Sequence, residues 1–280
     1  MFMTGKKPRP RTEPLYSGGN RKDFPITTGY DSVDGFDLIS SHLNNSQNIL
    51  ICQSMRNGYF SACFAPSKRY SPRPTTSWTI LNDYDSFLES ARKDWNRVNG
   101  KSEQIYSLAC DENLGFMVLS IKQYGTAQAI VTNLTDIEKK WKDGFEITSC
   151  AARGQNFYII MTKGTREYRN KTQAWFSCNT WNETCDEINE QINEGYTVTG
   201  ICYSTGLKLY FVVTTKIPEV QSAHYSDDTT VALNWMEEQH HVGYHPTIIF
   251  TEPTLNKTLV VMTTDENRSS FEYRSVLLET

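Results

Sequence analysis

The stretch that decides the fold is residues 139–165, KKWKDGFEITSCAARGQNFYIIMTKGT. Its charged, tryptophan-containing start is typical of a helix that ends at Gly144, because glycine tolerates the left-handed backbone that closes many helices. Two apolar segments follow, at 145–151 and 157–162, and the polar residues between them predict a tight turn. The stretch therefore predicts a helix, a glycine stop and a β-hairpin.

The same pattern recurs at intervals of about fifty residues, which is typical of a repeat architecture. Each copy contains a glycine–aromatic pair, then an apolar run, then a segment in which polar and aromatic residues interleave. The pairs are Gly35-Phe36, Gly144-Phe145, Gly195-Tyr196 and Gly243-Tyr244, with a degenerate Gly100-Lys101. The apolar runs are 49–52, 116–119, 158–161, 210–213 and 259–262, and the third segments are 59–64, 127–132, 173–177, 221–226 and 270–275.

We therefore predict a mainly β protein with short helices, folded as a propeller-like ring of five repeats, each with three antiparallel strands plus a helix. The last repeat supplies no helix, and we expect residues near the N-terminus to complete it and close the ring. A five-fold α/β-propeller, with the helix inside each unit, is the alternative. The predicted domains are a basic arm, 1–35, and a repeat domain, 36–280, with repeats at about 36–100, 101–144, 145–195, 196–243 and 244–280.

Apolar residues at three- and four-residue intervals predict helices before the glycine stops. Thr135 is predicted to cap the second helix, because Glu138 follows three residues later. Trp141 is expected to be a packing anchor between repeats, since Ile192 occupies the corresponding place before Gly195. The proline-rich, basic segment 66–76 is predicted to be an exposed loop or an additional contact site. The predicted helices are 83–98, 135–142, 185–194 and 230–241.

Residues 141–165 resemble the repeat domain found C-terminal to the kinase domain of plant casein-kinase-I-like protein kinases. The resemblance rests on the helix tryptophan, the glycine–aromatic pair, Ile-Thr-Ser-x-Ala and the strand ending Met-Thr-Lys-Gly-Thr, and weaker copies extend it over 36–275. It implies a propeller-like repeat module without its enzyme. A glycine-rich phosphate loop, His-Arg-Asp and Asp-Phe-Gly are all absent from the sequence, so no catalytic residue is carried over.

Charge is divided unevenly along the chain. Residues 1–30 hold six basic and two acidic side chains, a net charge of +4, although the whole protein carries -4 and has a pI near 5.8. This arm is also rich in proline and glycine, so it cannot bury enough apolar surface to order itself, and we expect either its own domain or a neighbouring protein to hold it; an acidic neighbour would suit its charge. The basic residues predicted to bind that partner are Lys6, Lys7, Arg9, Arg11, Arg21 and Lys22.

The sequence offers few residues for catalysis. His240, His241 and His245, with neighbouring glutamates, are the densest group of potential metal ligands, but their spacing matches no metal site and a solvated helix end is the simpler interpretation. Walker-type and dinucleotide-binding glycine patterns are absent. The seven cysteines match neither a disulfide framework nor a zinc spacing. We therefore predict no enzymatic activity, no cofactor and no metal.

The predicted function is that of a non-catalytic structural or scaffold protein that docks into a larger assembly through the arm and a propeller face. A microtubule wall is an acidic polymer that suits the arm, so tubulin or another assembly subunit is the expected protein partner. The expected location is cytoplasmic, in the cytoskeleton or cilium as an axonemal component. A kinase- or chromatin-associated recognition module in the nucleus is the alternative. The acidic body argues against nucleic acid, and no apolar run approaches the ~18 residues of a membrane span.

Overall fold

The structure is a computed structural model, and it describes most of the chain between residues 48 and 278. Every structural statement below refers to the described residues. They are 48–56, 59–66, 76–81, 83–95, 103–112, 115–122, 125–165, 171–217, 220–242, 244–255, 257–264 and 274–278.

Strands dominate these ranges, and the few helices are short, which confirms the predicted mainly β class. The strands are β1 (Asn48–Arg56), β2 (Tyr59–Pro66), β3 (Thr76–Leu81), β4 (Glu103–Asp111), β5 (Gly115–Lys122), β6 (Ala127–Val131), β7 (Phe145–Arg153), β8 (Asn156–Lys163), β9 (Gln173–Cys178), β10 (Thr197–Ser204), β11 (Leu209–Thr215), β12 (Val220–Ser226), β13 (His245–Thr251), β14 (Thr258–Thr264) and β15 (Arg274–Leu278). The helices are α1 (Tyr84–Trp95), α2 (Thr135–Lys142), α3 (Trp181–Asn193) and α4 (Thr229–His241). None of the helices in the described ranges combines the length and the apolar character that crossing a membrane requires.

The described strands form several small antiparallel sheets that share one plan. A hairpin supplies a first strand and a central strand, and an outer strand pairs with the other side of the central strand. In the order first, central, outer, the sheets are sheet 1 (β1, β2, β15), sheet 2 (β4, β5, β3), sheet 3 (β7, β8, β6), sheet 4 (β10, β11, β9) and sheet 5 (β13, β14, β12).

The first strands bring the sheets together in a cyclic series of contacts. β1 contacts β4, β4 contacts β7, β7 contacts β10, β10 contacts β13, and β13 contacts β1. In sheets 2 to 5 a helix leads from the outer strand to the first strand of the same sheet. Helix α3, for example, contacts all three strands of sheet 4 and also β12 of sheet 5, so it packs where two sheets meet.

Every first strand has a bulge at the same place, where one residue is skipped in the pairing with the central strand. The bulge lets the strand turn its backbone locally towards a neighbour while the rest of the ladder continues. The skipped residues are Ile51, Tyr106, Thr148, Thr199 and Thr247. The residues immediately before them, which we call the pre-bulge positions, are Leu50, Ile105, Ile147, Val198 and Pro246.

Aromatic side chains from neighbouring sheets form much of the core. Phe116 of sheet 2 meets Tyr158 of sheet 3 edge-on, with 4.8 Å between ring centroids. Phe157 of sheet 3 lies 5.7 Å from Phe211 of sheet 4. Trp181, at the start of α3, stacks 6.3 Å from Phe250 of sheet 5. Burial of apolar surface therefore holds sheet to sheet as well as helix to sheet.

The glycine–aromatic junctions are confirmed where the structure describes them. Gly144 and Gly195 both have φ of 81°, the left-handed backbone that a side chain would strain. The Tyr196 amide donates to the Gln191 carbonyl, which closes α3. Trp141 and Ile192 pack against the apolar clusters next to their own sheets, as expected of packing anchors. The two junctions are structurally equivalent.

The sheets do not coincide with the continuous repeats predicted from the sequence. The last strand of each predicted repeat is the outer strand of the next sheet, as when β6 pairs with β8 and β9 pairs with β11. In the first copy, residues 49–52 were predicted to be the second strand and residues 59–64 the third. They belong instead to a first strand and to a central strand. The outer strand β3 was missed, because the proline-rich segment before it reads as a loop.

The two ends of the described chain meet in sheet 1, and any contribution of residues 1–47 to the last repeat, as predicted, lies outside the described residues. The C-terminal strand β15 completes sheet 1 by pairing with β2, whereas sheet 5 is completed by β12. A local prediction also needs correction: Thr135 is the first residue of α2 and does not cap it, because Asn133 Oδ1 accepts the Thr135 N–H at 3.1 Å. A capping box is present instead at Thr180 and Glu183, before α3.

Candidate functional site

The residues predicted to bind a partner all belong to the arm. Lys6, Lys7, Arg9, Arg11, Arg21 and Lys22 lie outside the described residues. So do the side chains of His240, His241 and His245, although their backbone belongs to α4 and β13. Within the described ranges, no three His, Cys, Asp or Glu side chains come together as metal ligands would.

A glutamine on an outer strand joins sheet 3 to sheet 2. Gln128 Oε1 accepts the Ile105 N–H at 2.7 Å, and Gln128 Nε2 donates to the Ile105 carbonyl at 2.8 Å. The same Nε2 donates to Thr162 Oγ1 at 2.8 Å. Ile105 is a pre-bulge residue of sheet 2, while Gln128 and Thr162 face each other across β6 and β8 in sheet 3. We call this arrangement a glutamine clamp.

The clamp recurs between sheets 3 and 4. Gln173 Oε1 accepts the Ile147 N–H at 2.7 Å, and Nε2 donates to the Ile147 carbonyl at 2.9 Å and to Thr215 Oγ1 at 3.3 Å. Trp141 Nε1 also points to Gln173 Oε1, at 3.4 Å. The clamp thus links α2, sheet 3 and sheet 4 through one amide side chain.

The third clamp, between sheets 4 and 5, is the most buried. Gln221 Oε1 accepts the Val198 N–H at 2.8 Å, and Nε2 donates to the Val198 carbonyl and to Thr263 Oγ1, both at 3.2 Å. Gln221, Val198 and Thr263 are 8%, 1% and 0% exposed. Because buried peptide groups without a partner are costly, the glutamine satisfies a need that the bulge creates.

Threonines at the bulges connect successive clamps into a belt. Thr148 Oγ1 lies 2.9 Å from Thr162 Oγ1, and Thr148 is the residue after Ile147, which the next clamp holds. The same link joins Thr199 to Thr215 at 2.9 Å. In sheet 5 the pair is Thr247 and Thr263 at 3.1 Å. Hydrogen bonds, joined at Ile147 and Thr148 and at Val198 and Thr199 by the chain itself, therefore link sheets 2 to 5 at one level.

Two positions of the repeated register, one in sheet 1 and one in sheet 5, hold residues without a group that the clamp uses. Its central strand has Ala65 where sheet 3 has Thr162, so the hydroxyl is missing. The pre-bulge residue of sheet 5, which would receive a clamp from sheet 1, is Pro246 and has no N–H. At the junction of sheets 1 and 2, the outer strand β3 has Thr76 at the clamp position and faces Ile121.

A second polar contact joins the hairpin turns at one end of the sheets. Glu112 Oε1 in the turn of sheet 2 accepts the Gly154 N–H at 2.7 Å and the Thr205 Oγ1–H at 2.6 Å. The Gly206 N–H donates to the Gly154 carbonyl at 3.0 Å. A Cβ on Gly206 would lie 2.6 Å from the Gln155 side chain, so only glycine fits this close approach. One carboxylate thus spans the turns of three sheets.

The turn of sheet 5 is organised by the fully buried Glu252. Its Oε1 accepts the Thr254 Oγ1–H at 2.7 Å, and its Oε2 accepts the Thr254 N–H at 2.7 Å and the Leu255 N–H. Burial is the main cause of the raised pKa of the neighbouring Tyr203, and the proximity of Glu252 adds to it. Leu255 and Leu207 are half exposed in adjacent turns, so this end of the molecule presents some apolar surface.

At the opposite end of the sheets lie the glycine–aromatic junctions, and lysine side chains lie close to their aromatic rings. Lys163 and Lys140 lie 5.9 Å and 4.9 Å from the centroid of the Phe145 ring, and Lys216 lies 5.4 Å from that of Tyr196. Glu146 Oε2 is shielded from solvent and has no hydrogen-bond partner among the described residues. Burial raises the pKa of this carboxyl, while the nearby Lys163 charge lowers it.

Burial shifts the pKa values of several potential nucleophiles and bases away from their ordinary values. Burial raises the pKa of Cys202, which lies beside Cys150, and raises that of Cys185 to about 12. These thiols are therefore protonated and weakly nucleophilic. Burial lowers the pKa of His224, whose ring stacks 4.9 Å from Trp235.

The fold and the belt define a class: a repeat protein of small antiparallel sheets held together by side-chain amides. Comparison of the sequence with protein-family models and with curated proteins found no match. The residues that the sequence analysis missed are the clamp glutamines, Gln128, Gln173 and Gln221. A signal was present, since each stands at or near the start of a third segment, but only the register shows that they are equivalent.

Proposed function

We propose that the protein is a non-catalytic scaffold that docks into a larger assembly through its basic arm and one face of a five-bladed, propeller-like ring. The cyclic contacts of the first strands and the shared plan of the sheets support the ring. Helix α3 touches all three strands of its own sheet, which supports the α/β form of such a propeller.

The observation that carries the proposal is the set of glutamine clamps. Gln128, Gln173 and Gln221 are polar residues at equivalent places, where a binding protein could present them to a ligand. In each of them, Oε1 instead accepts from an N–H of the neighbouring sheet, and Nε2 donates to the carbonyl of the same residue. Repeated polar chemistry thus serves cohesion between sheets, which suits a rigid platform better than a reactive centre.

The charge of the arm supports an acidic partner. Its net charge of +4 in residues 1–30 precedes a body that is acidic, so the arm is attracted to an acidic surface more than the body is. A microtubule wall is acidic and periodic, and a rigid ring with a basic tether suits such a lattice. We therefore propose that the partner is tubulin and that the setting is the ciliary axoneme.

Co-pelleting with microtubules tests this proposal. The whole chain is compared with a variant in which Lys6, Lys7 and Arg9 are changed to Gln. The matched control changes Lys139, Lys142 and Lys208 to Gln, which removes the same charge from exposed positions of the body. We expect the arm variant to lose most of its binding and the control to keep it. Binding of the whole chain should weaken as salt rises from about 50 to 200 mM, because salt screens exposed charges.

Failure of the whole chain to pellet at low salt would refute the microtubule proposal. The family resemblance favours a second candidate, a kinase- or chromatin-associated recognition module. Salt-dependent retention on nucleosomes, with no retention on microtubules, would support that candidate. Equal losses in the arm variant and the control would show that the arm has no special role.

A further inference from the structure

Two thiols occupy one of the repeated positions at which neighbouring sheets pack. Counted from the residue that the bulge skips, the second residue onwards in one sheet shares an apolar cluster with the third residue onwards in the next sheet. These pairs are Leu108 and Ala151 for sheets 2 and 3, Cys150 and Cys202 for sheets 3 and 4, and Ile201 and Phe250 for sheets 4 and 5. The repeated register therefore brings two cysteines together at the junction of sheets 3 and 4.

The Cys150 and Cys202 side chains are in direct contact. They are 8% and 5% exposed, and both are free thiols that interact as a hydrogen-bonded pair. Gly200 makes room for one of the sulfurs, because a Cβ at Gly200 would lie only 3.1 Å from Cys150 Sγ. The strands that carry the two thiols, β7 and β10, pack against each other. Small rotations of the side chains can therefore bring the sulfurs to the geometry of a disulfide.

We propose that Cys150 and Cys202 form a redox-sensitive pair, and that a peroxide oxidises them to a disulfide that fastens sheet 3 to sheet 4. Hydrogen peroxide first transfers an oxygen atom to one thiolate, so that the O–O bond breaks, a sulfenic acid forms and hydroxide leaves. The second thiol then displaces the sulfenic oxygen as water, and the S–S bond forms. In sum, two thiols and one peroxide give one disulfide and two waters. This property is independent of the acidic partner proposed for the arm.

The two steps of this oxidation differ in speed. Burial raises the pKa of Cys202, so little thiolate is present at neutral pH and the first step is slow. The second step joins two groups that are already in contact, so it is fast. The pair therefore stays reduced under reducing conditions and closes under sustained exposure to peroxide, without accumulating the sulfenic acid.

Peptide mass spectrometry of the natural chain tests the proposal. The folded protein is treated with excess hydrogen peroxide, its remaining thiols are alkylated in denaturant, and it is digested with trypsin and a glutamate-specific protease. Together these enzymes release Cys150 in residues 147–153 and Cys202 in residues 195–208, apart from the other cysteines. We expect the two peptides to be joined by a disulfide that dithiothreitol cleaves. The oxidised chain should melt about 5–15 °C higher than the reduced chain, because the link closes a long loop.

Three variants check the pairing. Cys150→Ala and Cys202→Ala each remove one thiol and should abolish both the link and the gain in Tm. Cys185→Ala is the matched control, because burial also raises the pKa of Cys185, and it should keep both. The proposal is overturned if peroxide leaves both thiols of the natural chain free, oxidises either one to a sulfinic acid instead, or joins Cys202 to another cysteine. A link that forms only in denaturant would overturn it as well, since the contact in the folded protein would then play no part.

Discussion

Replacing Gln221 by alanine removes the most buried clamp. The natural side chain makes three hydrogen bonds, to the Val198 N–H, the Val198 carbonyl and Thr263 Oγ1. At about 1 kcal/mol net for each, their loss costs about 3 kcal/mol, and the orphaned Val198 N–H adds further because it is buried away from water. We expect Gln221→Ala to lower the free energy of unfolding by about 3–4 kcal/mol. The corresponding fall in Tm is roughly 6–16 °C at about 2–4 °C per kcal/mol.

Urea titration followed by tryptophan fluorescence measures the loss, and hydrogen exchange at the Val198 amide localises it. The matched control is Gln155→Ala, because Gln155 is exposed in a turn and should change stability by less than about 0.5 kcal/mol. A loss below about 1 kcal/mol for Gln221→Ala, or one equal to that of the control, would refute the reasoning. Such a small loss would mean that water replaces the Gln221 side chain at the Val198 peptide group and that the clamps contribute little to stability.

Two further predictions concern carboxylates. Burial raises the folded-state pKa of Glu146 above its ordinary value of 4.5, so the ionised form destabilises the fold as pH rises through the raised pKa. We expect Glu146→Gln to unfold at higher urea concentration than the natural chain at pH 7–8, and this advantage to vanish below about pH 4, where the carboxyl is neutral in both states. An unchanged difference between pH 4 and 8 would contradict this. Glu112→Ala should cost about 1 kcal/mol and speed exchange of the Gly154 amide, while Glu112→Gln keeps an acceptor and should lose less.

The sequence predicts local elements well where backbone conformation depends on one residue type. Glycine is favoured at the left-handed positions after α2 and α3, so the junctions at Gly144 and Gly195 could be found from spacing alone. The central strands could also be found from the sequence. They are buried on both faces and therefore appear as uninterrupted apolar runs. These elements depend on local chemistry, which a sequence displays directly.

The sequence does not show which repeat an outer strand joins. β6 lies in the same predicted repeat as the hairpin before it but pairs with the next hairpin, because the tight turn that fixes hairpin pairing has no counterpart for the outer strand. The bulges were missed for a related reason: skipping one residue, as at Thr148, leaves the pattern of apolar residues nearly unchanged. The arm contacts were not tested, since residues 1–47 lie outside the described ranges.

The chemistry of the clamp explains why its residue is glutamine. The pre-bulge peptide group at Val198 presents an N–H and a carbonyl together, so its partner must accept and donate at once. A carboxylate accepts only, and lysine and arginine donate only, whereas a side-chain amide accepts at its oxygen and donates at its nitrogen within one planar group. Asparagine is one carbon shorter and would have to move β12 closer to β10. Pro246, the pre-bulge residue of sheet 5, has no N–H, so a glutamine opposite it could only donate to its carbonyl.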